Sequence, residues 1–497
     1  MNKSINLMMT NNTKQLIQSK PFSTVMILAF CTLITACTTN PATGDRQFTA
    51  LLPASSEASI GAQEHKKIEA EFGKFMTGPI ANYVSQVGQK VAKNTEREDV
   101  TYRFYVIDTP MVNAFALPGG YIYVTRGLLT LANNEAEMAA VIGHEIAHVT
   151  ARHAAERMSQ GTLIGIGAAA IGIATGSSAA GQAANLGSNL YLSSYSRSQE
   201  READNLGIRY LARAGYDPNA MTIFLESLGR NSDLDAKEAG RSGSGFNYFS
   251  THPMTAERVQ TTKAVSAEYP QSTKVNRITY LNKINGMTYG DSASEGFVRG
   301  NQFFHPEIGF TFSVPKGSDI KNGKTKVTAT HPNGTAIIFD AVNDSSNMSV
   351  YDLLTQKILK NEATNAEKIT VNGLNAATAS LPGTVNGKRV NMRVVLIEWE
   401  RNRYFRFQMA IPTNVNNAFV NELKKTTYSF RHLSASEKNA IKPKTLRVLV
   451  APAGATISSM AAKMDVEKNK TERFLVLNGL NSNDKIIAGQ PYKIVVD

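Results

Sequence analysis

Two histidines and a glutamate form the clearest chemical signal in the chain. The segment Val141-Ile-Gly-His144-Glu145-Ile-Ala-His148 places the histidines four residues apart. In a helix this spacing puts both imidazoles on one face, about 6 Å apart, so both can bind one zinc ion. Glu145 lies about 100° around the helix, near enough to hold a water on the metal and take its proton. The motif predicts a hydrolytic site in which His144 and His148 bind zinc and Glu145 is the general base.

A third metal ligand has to come from elsewhere in the chain, because a catalytic zinc usually has three protein ligands and one open position. The segment Ser198-Gln-Glu200-Arg-Glu202-Ala-Asp204 is the obvious source. Glu200 and Asp204 are four residues apart and share a helical face, whereas Glu202 points roughly 200° away. That face predicts Glu200 as the third ligand and Asp204 as the carboxylate that accepts the free ring N–H of a ligating histidine.

Two helices must position these groups. The first is predicted to open at Asn133 or Asn134, which are good N-caps, and to run to about Met158. The second is predicted over Ser198 to Ala214. Between them lies a Gly/Ala-rich stretch, 161–190, which we interpret as a helical hairpin, a mobile flap or a membrane-touching segment.

The rest of the first half predicts helices and a small hairpin. Residues 61–95 have apolar side chains at helical spacing, and further helices are predicted over 218–229 and 255–268. Residues 101–107 read as a strand. The segment Asn113 to Val124 reads as a hairpin that turns at Pro118-Gly-Gly120.

These motifs together resemble a known family. A histidine pair followed about fifty residues later by Glu-x-x-x-Asp is typical of the CAAX-prenyl-protease and HtpX-like zinc metallopeptidases. The closest likeness is to their periplasmic, lipid-anchored members, which the segments 40–45, 113–120 and 251–253 also resemble. The resemblance covers about residues 38–270 and implies the same roles for His144, His148, Glu200 and Glu145. This chain lacks the spanning helices of the integral-membrane relatives, which argues against a prenylated-protein substrate.

The resemblance suggests roles for two further segments. The strand at Asn113, Ala114, Phe115 and Ala116 is expected to border the cleft and to pair with an extended substrate; the alternative is an ordinary core hairpin. His252, within Thr-His-Pro, is either an occluding metal ligand, a hydrogen-bond donor to the transition state, or an anchor for its loop. The position of His153, about 140° from the metal face of a continuous helix, predicts a structural or exposed role.

The N-terminus predicts export and lipid attachment. Residues 1–20 are polar with lysines, and residues 22–36 form an apolar run that is too short for a comfortable membrane span. Ile34-Thr35-Ala36-Cys37 resembles a bacterial lipobox, so Cys37 is the predicted lipidation site. Thr38 follows in place of the aspartate that commonly marks inner-membrane retention, which favours the outer membrane.

Charge and cysteine content narrow the class of partner. The net charge is +12, and three of these charges lie in the predicted leader, which leaves +9. Such a surface can favour anionic lipid or an anionic polymer. No basic helix or basic-aromatic interleaving points to nucleic acid, so we expect no nucleic-acid partner. Both cysteines lie in or beside the leader, which suits an oxidising compartment.

The second half of the chain predicts two more units. Strand patterns alternate with helices over 306–433, with no constellation of catalytic groups. The tail resembles a peptidoglycan-binding LysM module, although Gly454-Ala455-Thr456 stands where that family prefers Gly-Asp-Thr. The departure weakens the prediction of glycan binding more than that of the fold.

The predicted fold class is α+β. A mostly helical HExxH zincin (gluzincin-type) peptidase domain with a small sheet is followed by an α+β domain and a small LysM-like βααβ domain. The predicted segments are a signal peptide (1–36), a lipidated tether (37–60), the peptidase domain (61–286), a linker (287–305), an accessory domain (306–433), a linker (434–443) and the LysM-like domain (444–497).

The expected function is that of a zinc endopeptidase with one Zn²⁺ per chain, attached by lipid to the periplasmic face of the bacterial outer membrane. The family resemblance implies misfolded or stalled envelope polypeptides as substrates, with peptidoglycan as a further partner if the tail binds glycan. Two other classes stay open. One is an envelope assembly factor or chaperone in which cleavage is secondary, and the other is a structural anchor to the cell wall.

Overall fold

The computed structural model describes residues 37–49, 51–73, 75–162, 194–238, 248–254, 256–385 and 387–497. The predicted signal peptide and nearly all of the Gly/Ala-rich stretch 161–190 lie outside these residues. Within them the chain is a mixture of helices and mainly antiparallel sheets, which agrees with the predicted α+β class. None of the helices in the described ranges combines the length and the apolar composition needed to cross a bilayer.

The predicted peptidase domain consists mainly of helices around a small sheet. Its helices are Ala54–Phe72, Pro79–Ala92, Arg126–Leu131, Glu135–Thr150, Arg197–Arg213, Ala220–Glu238, Tyr248–Thr251, Ala256–Ala267 and Arg277–Ile284. In the sheet, Tyr121–Thr125 lies between Arg103–Ile107, to which it is parallel, and Ala114–Leu117, to which it is antiparallel. The hairpin predicted over residues 113–124 is therefore present.

The zinc motif lies on a fully buried helix, Glu135–Thr150, here called the motif helix. It begins as predicted, because the Asn134 side chain accepts a hydrogen bond from the Glu137 backbone N–H. The second predicted helix is Arg197–Arg213, here called the acid helix, and Ser196 forms a capping box with Gln199 at its start. Both local signals act as the sequence implies.

Two glycines let these helices approach each other closely. A Cβ at Gly143 would lie 3.3 Å from the carbonyl oxygen of Gly207, and a Cβ at Gly207 would lie 3.1 Å from the backbone nitrogen of His144. Such contacts are tighter than ordinary side-chain packing allows. The missing side chains therefore bring the carboxylates of the acid helix within reach of the motif histidines.

The motif helix ends earlier than predicted. It stops at Thr150 rather than near Met158, and the chain is helical again over 153–162. Between the two segments Arg152 adopts a left-handed φ of 58°, which costs a residue other than glycine about 1–2 kcal/mol. Its guanidinium offsets that cost with hydrogen bonds to Glu57 (2.7 Å), Thr49 (3.1 Å) and the Leu52 carbonyl (2.7 Å).

The segment predicted as a tether, 37–60, has regular structure instead. Cys37–Thr39 pairs with Arg46–Phe48 in what we call the anchor hairpin. Just after its first strand, buried Asn40 donates a side-chain hydrogen bond to Glu202 of the acid helix. A helix starts at Ala54, so the single helix predicted over 61–95 is in fact two, separated by residues 73–78, where Gly73 and Gly78 have positive φ.

The accessory domain is built on antiparallel sheet. Its larger sheet contains seven strands in the order Asp319–Asn322, Lys326–Thr330, Ala336–Asn343, Arg403–Pro412, Lys388–Glu400, Leu374–Val385 and Thr364–Val371. A second sheet has the order Arg431–His432, Phe310–Ser313, Gln302–His305 and Phe297–Arg299. Its helical segments are Val350–Asp352, the π-helical Leu353–Ile358 and Asn417–Ser429.

Both predicted linkers are structured. Residues 287–305 contain strands from two different sheets, and residues 434–443 contain the helix Ala435–Ala440. Short polar stretches with glycine are typical of connections in a sequence. Here a local hairpin and pairing with the distant strand Lys444–Val450 order the first stretch, and a capping box at Ser434 orders the second.

The tail has the predicted strand–helix–helix–strand order, with elements Lys444–Val450, Ile457–Ala461, Lys470–Asn478 and Pro491–Val496. It is not the separate unit that its sequence suggested. Its first strand pairs with Thr288–Tyr289, and Leu446 belongs to the hydrophobic core of the peptidase domain. The fully buried Lys493 ammonium donates hydrogen bonds at 2.8–2.9 Å to the carbonyls of residues 130–132, at the C-terminal end of helix Arg126–Leu131.

Candidate metal centre

Four buried side chains from three helical segments converge beneath the crossing of the motif and acid helices. His144 and His148 come from the motif helix, Glu200 from the acid helix, and His252 from the turn after Tyr248–Thr251. Each offers one ligand atom, and these atoms all lie within 4.8 Å of one another. The structure thus brings together the three ligands predicted from the sequence and adds His252.

The spacing of the donor atoms fits a zinc ion. A tetrahedral zinc with bonds of about 2.0–2.1 Å places its ligand atoms about 3.3 Å apart. The Nε2 atoms of His144 and His148 are 3.0 Å apart. The Glu200 carboxylate lies 3.5 Å from the first of these nitrogens and 3.4 Å from the second. Two imidazoles and a carboxylate are also the donor types that zinc accepts in hydrolytic sites.

Glu200 supplies the negative charge of this cluster. Its carboxylate is completely buried, and burial alone would raise its pKa. The charge of His252 and hydrogen bonding from His144 and His148 outweigh burial and hold the pKa of Glu200 well below its usual range. Arg258 adds a further contact, with its Nη1 atom 2.7 Å from the carboxylate. Glu200 is therefore an anion, as a metal ligand must be.

Asp204 lies where the helical-face argument placed it. Its Oδ1 atom is 3.0 Å from Nδ1 of His144, whereas the other ring nitrogen, Nε2, faces His148 and Glu200. Burial would raise the pKa of Asp204, but Arg258, whose guanidinium forms two hydrogen bonds of 2.8 Å to this carboxylate, lowers it. An anionic Asp204 favours the tautomer of His144 that carries its proton on Nδ1 and leaves Nε2 free for a metal.

Glu145 is the remaining acidic group. Burial raises its pKa, which moves this carboxyl towards the range useful for proton transfer near neutral pH. Among the described residues neither of its oxygens has a hydrogen-bond partner. A buried carboxylate is normally hydrogen-bonded, so this one is arranged to bind a molecule that enters the site.

His252 lies across the space between the two glutamates. Its Nδ1 atom is 2.9 Å from Glu200 and 3.3 Å from Nε2 of His144, while its Nε2 atom is 3.4 Å from Glu145. The imidazole therefore occupies the side of the cluster from which a water or a substrate would approach. All four histidine and glutamate side chains of the cluster are no more than 2% exposed.

Aromatic stacking and backbone hydrogen bonds hold this closed arrangement together. Tyr195 stacks on His148 with ring centres 3.7 Å apart, and Tyr248 stacks on His252 at 4.4 Å. The backbone N–H of Tyr195 donates to the carbonyl of Thr251, and that of Tyr248 donates to the carbonyl of Val112. The turn that carries His252 is thus joined both to the segment before the acid helix and to Val112, just before the strand predicted to bind substrate.

The predicted substrate strand does border the metal cluster. Ala114–Leu117 is at the edge of its sheet, and Ala116 and Leu117 line a small space beside His148 and Tyr195. That space is about 10 Å³, no larger than one water molecule. Residues 113–116 are at most 6% exposed, and the Asn113 side chain already accepts a hydrogen bond from the Ala114 N–H. In this conformation a polypeptide cannot reach the edge.

Sequence reasoning missed two supporting residues. Arg258 contacts both carboxylates, and a charge argument could have found it, because two acids buried on one helical face require a nearby cation. His153 was predicted to be structural or exposed, yet it is buried and its Nδ1 atom lies 2.8 Å from Nδ1 of His148. A structural role was among the alternatives predicted, but the contact with His148 was not foreseen, because the prediction assumed a continuous helix and the turn at Arg152 redirects the ring.

Comparison with known proteins agrees with this geometry. The model of peptidase family M48 matches residues 80–266. The chain is 31% identical over 212 residues to the mitochondrial metalloendopeptidase OMA1 of Schizosaccharomyces pombe, over 41% of this chain and 59% of that protein. It is 33% identical to the metalloprotease LoiP of Escherichia coli K12, over 36% of this chain and 68% of that protein. The chain belongs to peptidase family M48.

M48 membership confirms the family predicted from the sequence. M48 peptidases are zinc-dependent, and the donor set can hold one metal ion, so the predicted cofactor of one zinc ion per chain is supported by both observations. The chain is also 33% identical to the beta-barrel assembly-enhancing protease of Escherichia coli K12, over 36% of this chain and 37% of that protein. The chain thus spans 59% of the length of OMA1 and 37% of the length of this assembly-enhancing protease.

The close helix crossing gives a first test of the M48 site. Replacing Gly207 with alanine puts a methyl group against the His144 backbone, which we expect to destabilise the fold by about 1–3 kcal/mol and to weaken zinc binding by separating the two helices. Gly229, on helix Ala220–Glu238, has open space around it, so Gly229→Ala should be neutral or stabilising by up to about 1 kcal/mol. Urea unfolding and zinc titration of both variants measure this difference, and equal stabilities would contradict the close crossing.

Proposed function

We propose that the chain is a zinc-dependent endopeptidase that cleaves misfolded or stalled polypeptides of the bacterial envelope. The observation that carries the proposal is the buried Glu145 carboxylate, which has no hydrogen-bond partner among the described residues and lies beside a donor set suited to zinc. The bacterial relatives named as beta-barrel assembly-enhancing proteases support a role in the envelope.

Each residue of the site has a separate role. His144, His148 and Glu200 hold the metal, which when bound supplies Lewis-acid activation of water and of the peptide carbonyl. Glu145 takes the proton from the attacking water and gives it to the leaving amine. Asp204 and Arg258 fix the orientation of His144 and Glu200. The edge of Ala114–Leu117 pairs with an extended substrate, which provides affinity through backbone hydrogen bonds and little sequence selectivity.

Glu145→Gln tests the catalytic role. The amide keeps the size of the side chain but cannot accept the proton, so cleavage of an unfolded substrate such as casein should fall by a factor of about 10²–10⁴. Zinc content should equal that of the wild type, because Glu145 is not a ligand; His148→Ala and Glu200→Ala should lose zinc as well as activity. A Glu145→Gln protein that cuts at the wild-type rate would rule out the mechanism.

The same variant separates the endopeptidase from the first alternative left open by the sequence, an assembly factor or chaperone. If Glu145→Gln fails to restore envelope integrity in cells that lack the wild-type protein, cleavage is the function. If it restores integrity fully, the chain acts chiefly as an assembly factor or chaperone.

We further propose that His252 is an occluding fourth ligand rather than a donor to the transition state. Its Nδ1 atom faces the metal cluster, and its ring covers the approach to Glu145. Tyr248 stacks on that ring, and its backbone hydrogen bond joins the turn to Val112, which immediately precedes the substrate strand. Binding of a substrate strand would therefore displace the turn and open the site in one movement.

His252→Ala distinguishes these roles. An occluding ligand predicts faster basal cleavage, with zinc retained by the three remaining ligands. A transition-state donor predicts that cleavage falls by a factor of about 10²–10³. The comparison is casein cleavage and zinc content beside His331→Ala, a histidine of the accessory domain remote from the site. Slower cleavage with full zinc occupancy would overturn the occluding role.

For location, we propose lipid attachment at Cys37 on the periplasmic face of the outer membrane, with the tail as a LysM-like contact to peptidoglycan. Two apolar side chains of the tail are exposed. Val450 (59% exposed) is the last residue of the strand Lys444–Val450, and Ile487 (61% exposed) lies shortly before the strand Pro491–Val496. Deleting the tail would disturb the peptidase core that it shares, so point substitutions are the sharper test.

Cys37→Ser should move the protein from the membrane to the soluble periplasmic fraction. Ile487→Asp should reduce co-sedimentation with purified peptidoglycan while leaving zinc content unchanged, with Lys485→Asp on the same loop as the control for charge. Membrane retention of the serine variant, or equal co-sedimentation of all three proteins, would refute the respective part of this proposal.

A further inference from the structure

His148 has an unusual partner for a histidine that binds metal. Such a histidine normally donates its second ring N–H to a carboxylate, a backbone carbonyl or water. Nδ1 of His144 accordingly has a carboxylate, that of Asp204, 3.0 Å away. The second nitrogen of His148 instead lies 2.8 Å from Nδ1 of another histidine, His153, whose side chain is 1% exposed.

The proton positions in this pair follow from the metal site. Nε2 of His148 faces His144 and Glu200, so it must be unprotonated to bind zinc, and the proton of the neutral ring lies on Nδ1. Nδ1 of His153 is then the acceptor, and the proton of that ring lies on its Nε2 atom. The nearest acidic group to this atom is Glu202, at 3.6 Å, which is beyond hydrogen-bond range but close enough for its charge to favour that tautomer.

The surrounding structure fixes both rings. Tyr195 stacks on His148 with an interplanar angle of 15° and sets the plane in which Nδ1 points. The left-handed turn at Arg152 places His153 directly behind it. Glu202, which the helical-face argument had assigned to the side away from the metal, is held by a hydrogen bond from Asn40 of the anchor hairpin.

We propose that His153 is a positioning residue for the metal centre: it accepts the Nδ1–H of His148, leaves Nε2 for zinc, and is itself oriented by Glu202 and Asn40. The inference rests on the proposed zinc site but not on peptide cleavage. It makes Asn40 of the anchor hairpin, three residues after Cys37, part of the support of the metal site.

A matched pair of substitutions tests the acceptor role. Leucine at position 153 fills the space without an acceptor, whereas glutamine offers a side-chain oxygen to the same N–H. His153→Leu should bind zinc about 10–100-fold more weakly than the wild type, and His153→Gln should recover most of that loss. Zinc affinity is measured by competition with a chelator and needs no substrate, so the result stands even if the chain cleaves no peptide. Urea unfolding of the metal-free proteins checks that both variants fold.

Equal zinc affinities for the leucine and glutamine variants would overturn the proposal, since a role in packing alone does not distinguish an acceptor from a methyl group.

A second measurement needs no variant at position 153. In the zinc-loaded wild type, ¹⁵N chemical shifts of the histidine rings should show His153 protonated on Nε2 only. A proton on its Nδ1 atom would equally overturn the assignment.

The contribution of the anchor hairpin is tested separately, by the zinc affinity of a variant at Asn40. Asn40→Ala removes the hydrogen bond to Glu202 without touching either ring, so it should weaken zinc binding less than His153→Leu does. Asn361→Ala, at a distant turn of the accessory domain with a left-handed φ of 63°, is the control. If the Asn40 variant and the control bind zinc equally well, Asn40 has no part in supporting the metal site, and the proposal is limited to the two histidines.

Discussion

The buried carboxylate of Glu200 is the group on which the metal centre depends. Three imidazoles and the Arg258 guanidinium surround it in a region from which water is excluded. An isolated carboxylate in such a place would be strongly destabilising, and so would the buried Arg258 guanidinium without its acidic partners. Each is stable only because the others are present, so the four helical segments that supply them are held in one arrangement.

That charge balance depends in turn on how closely the backbones pack. Glu200 and Asp204 reach the motif histidines because Gly143 and Gly207 lie at the helix crossing. Arg258 reaches both acids from helix Ala256–Ala267, which follows the turn that carries His252. A substrate that moves this turn therefore acts on a segment adjoining the main counter-ion of the site. Access and electrostatics are coupled through a stretch of fewer than ten residues.

The parts of the site that depend on local chemistry could be predicted from sequence. Helical periodicity places His144, His148 and Glu145 correctly, and the cap at Asn134 and the shared face of Glu200 and Asp204 follow from the same geometry. What failed depends on distant partners. The left-handed turn at Arg152 is stabilised by Glu57, Thr49 and Leu52, about a hundred residues away, and no local pattern reveals it. The start of the supposed linker 287–305 is ordered by pairing of Thr288–Tyr289 with Lys444–Val450, far along the chain.

The docking of the tail has a consequence for how this architecture can change. Lys493 satisfies the carbonyls at the end of one peptidase helix, Arg473 binds Asp235 and Glu238 of another, and Leu446 completes the peptidase core. A module joined by a flexible connection can be exchanged between proteins by recombination, whereas this one shares its interior with the catalytic half. Each substitution on one side of this shared interior is therefore constrained by its neighbour on the other.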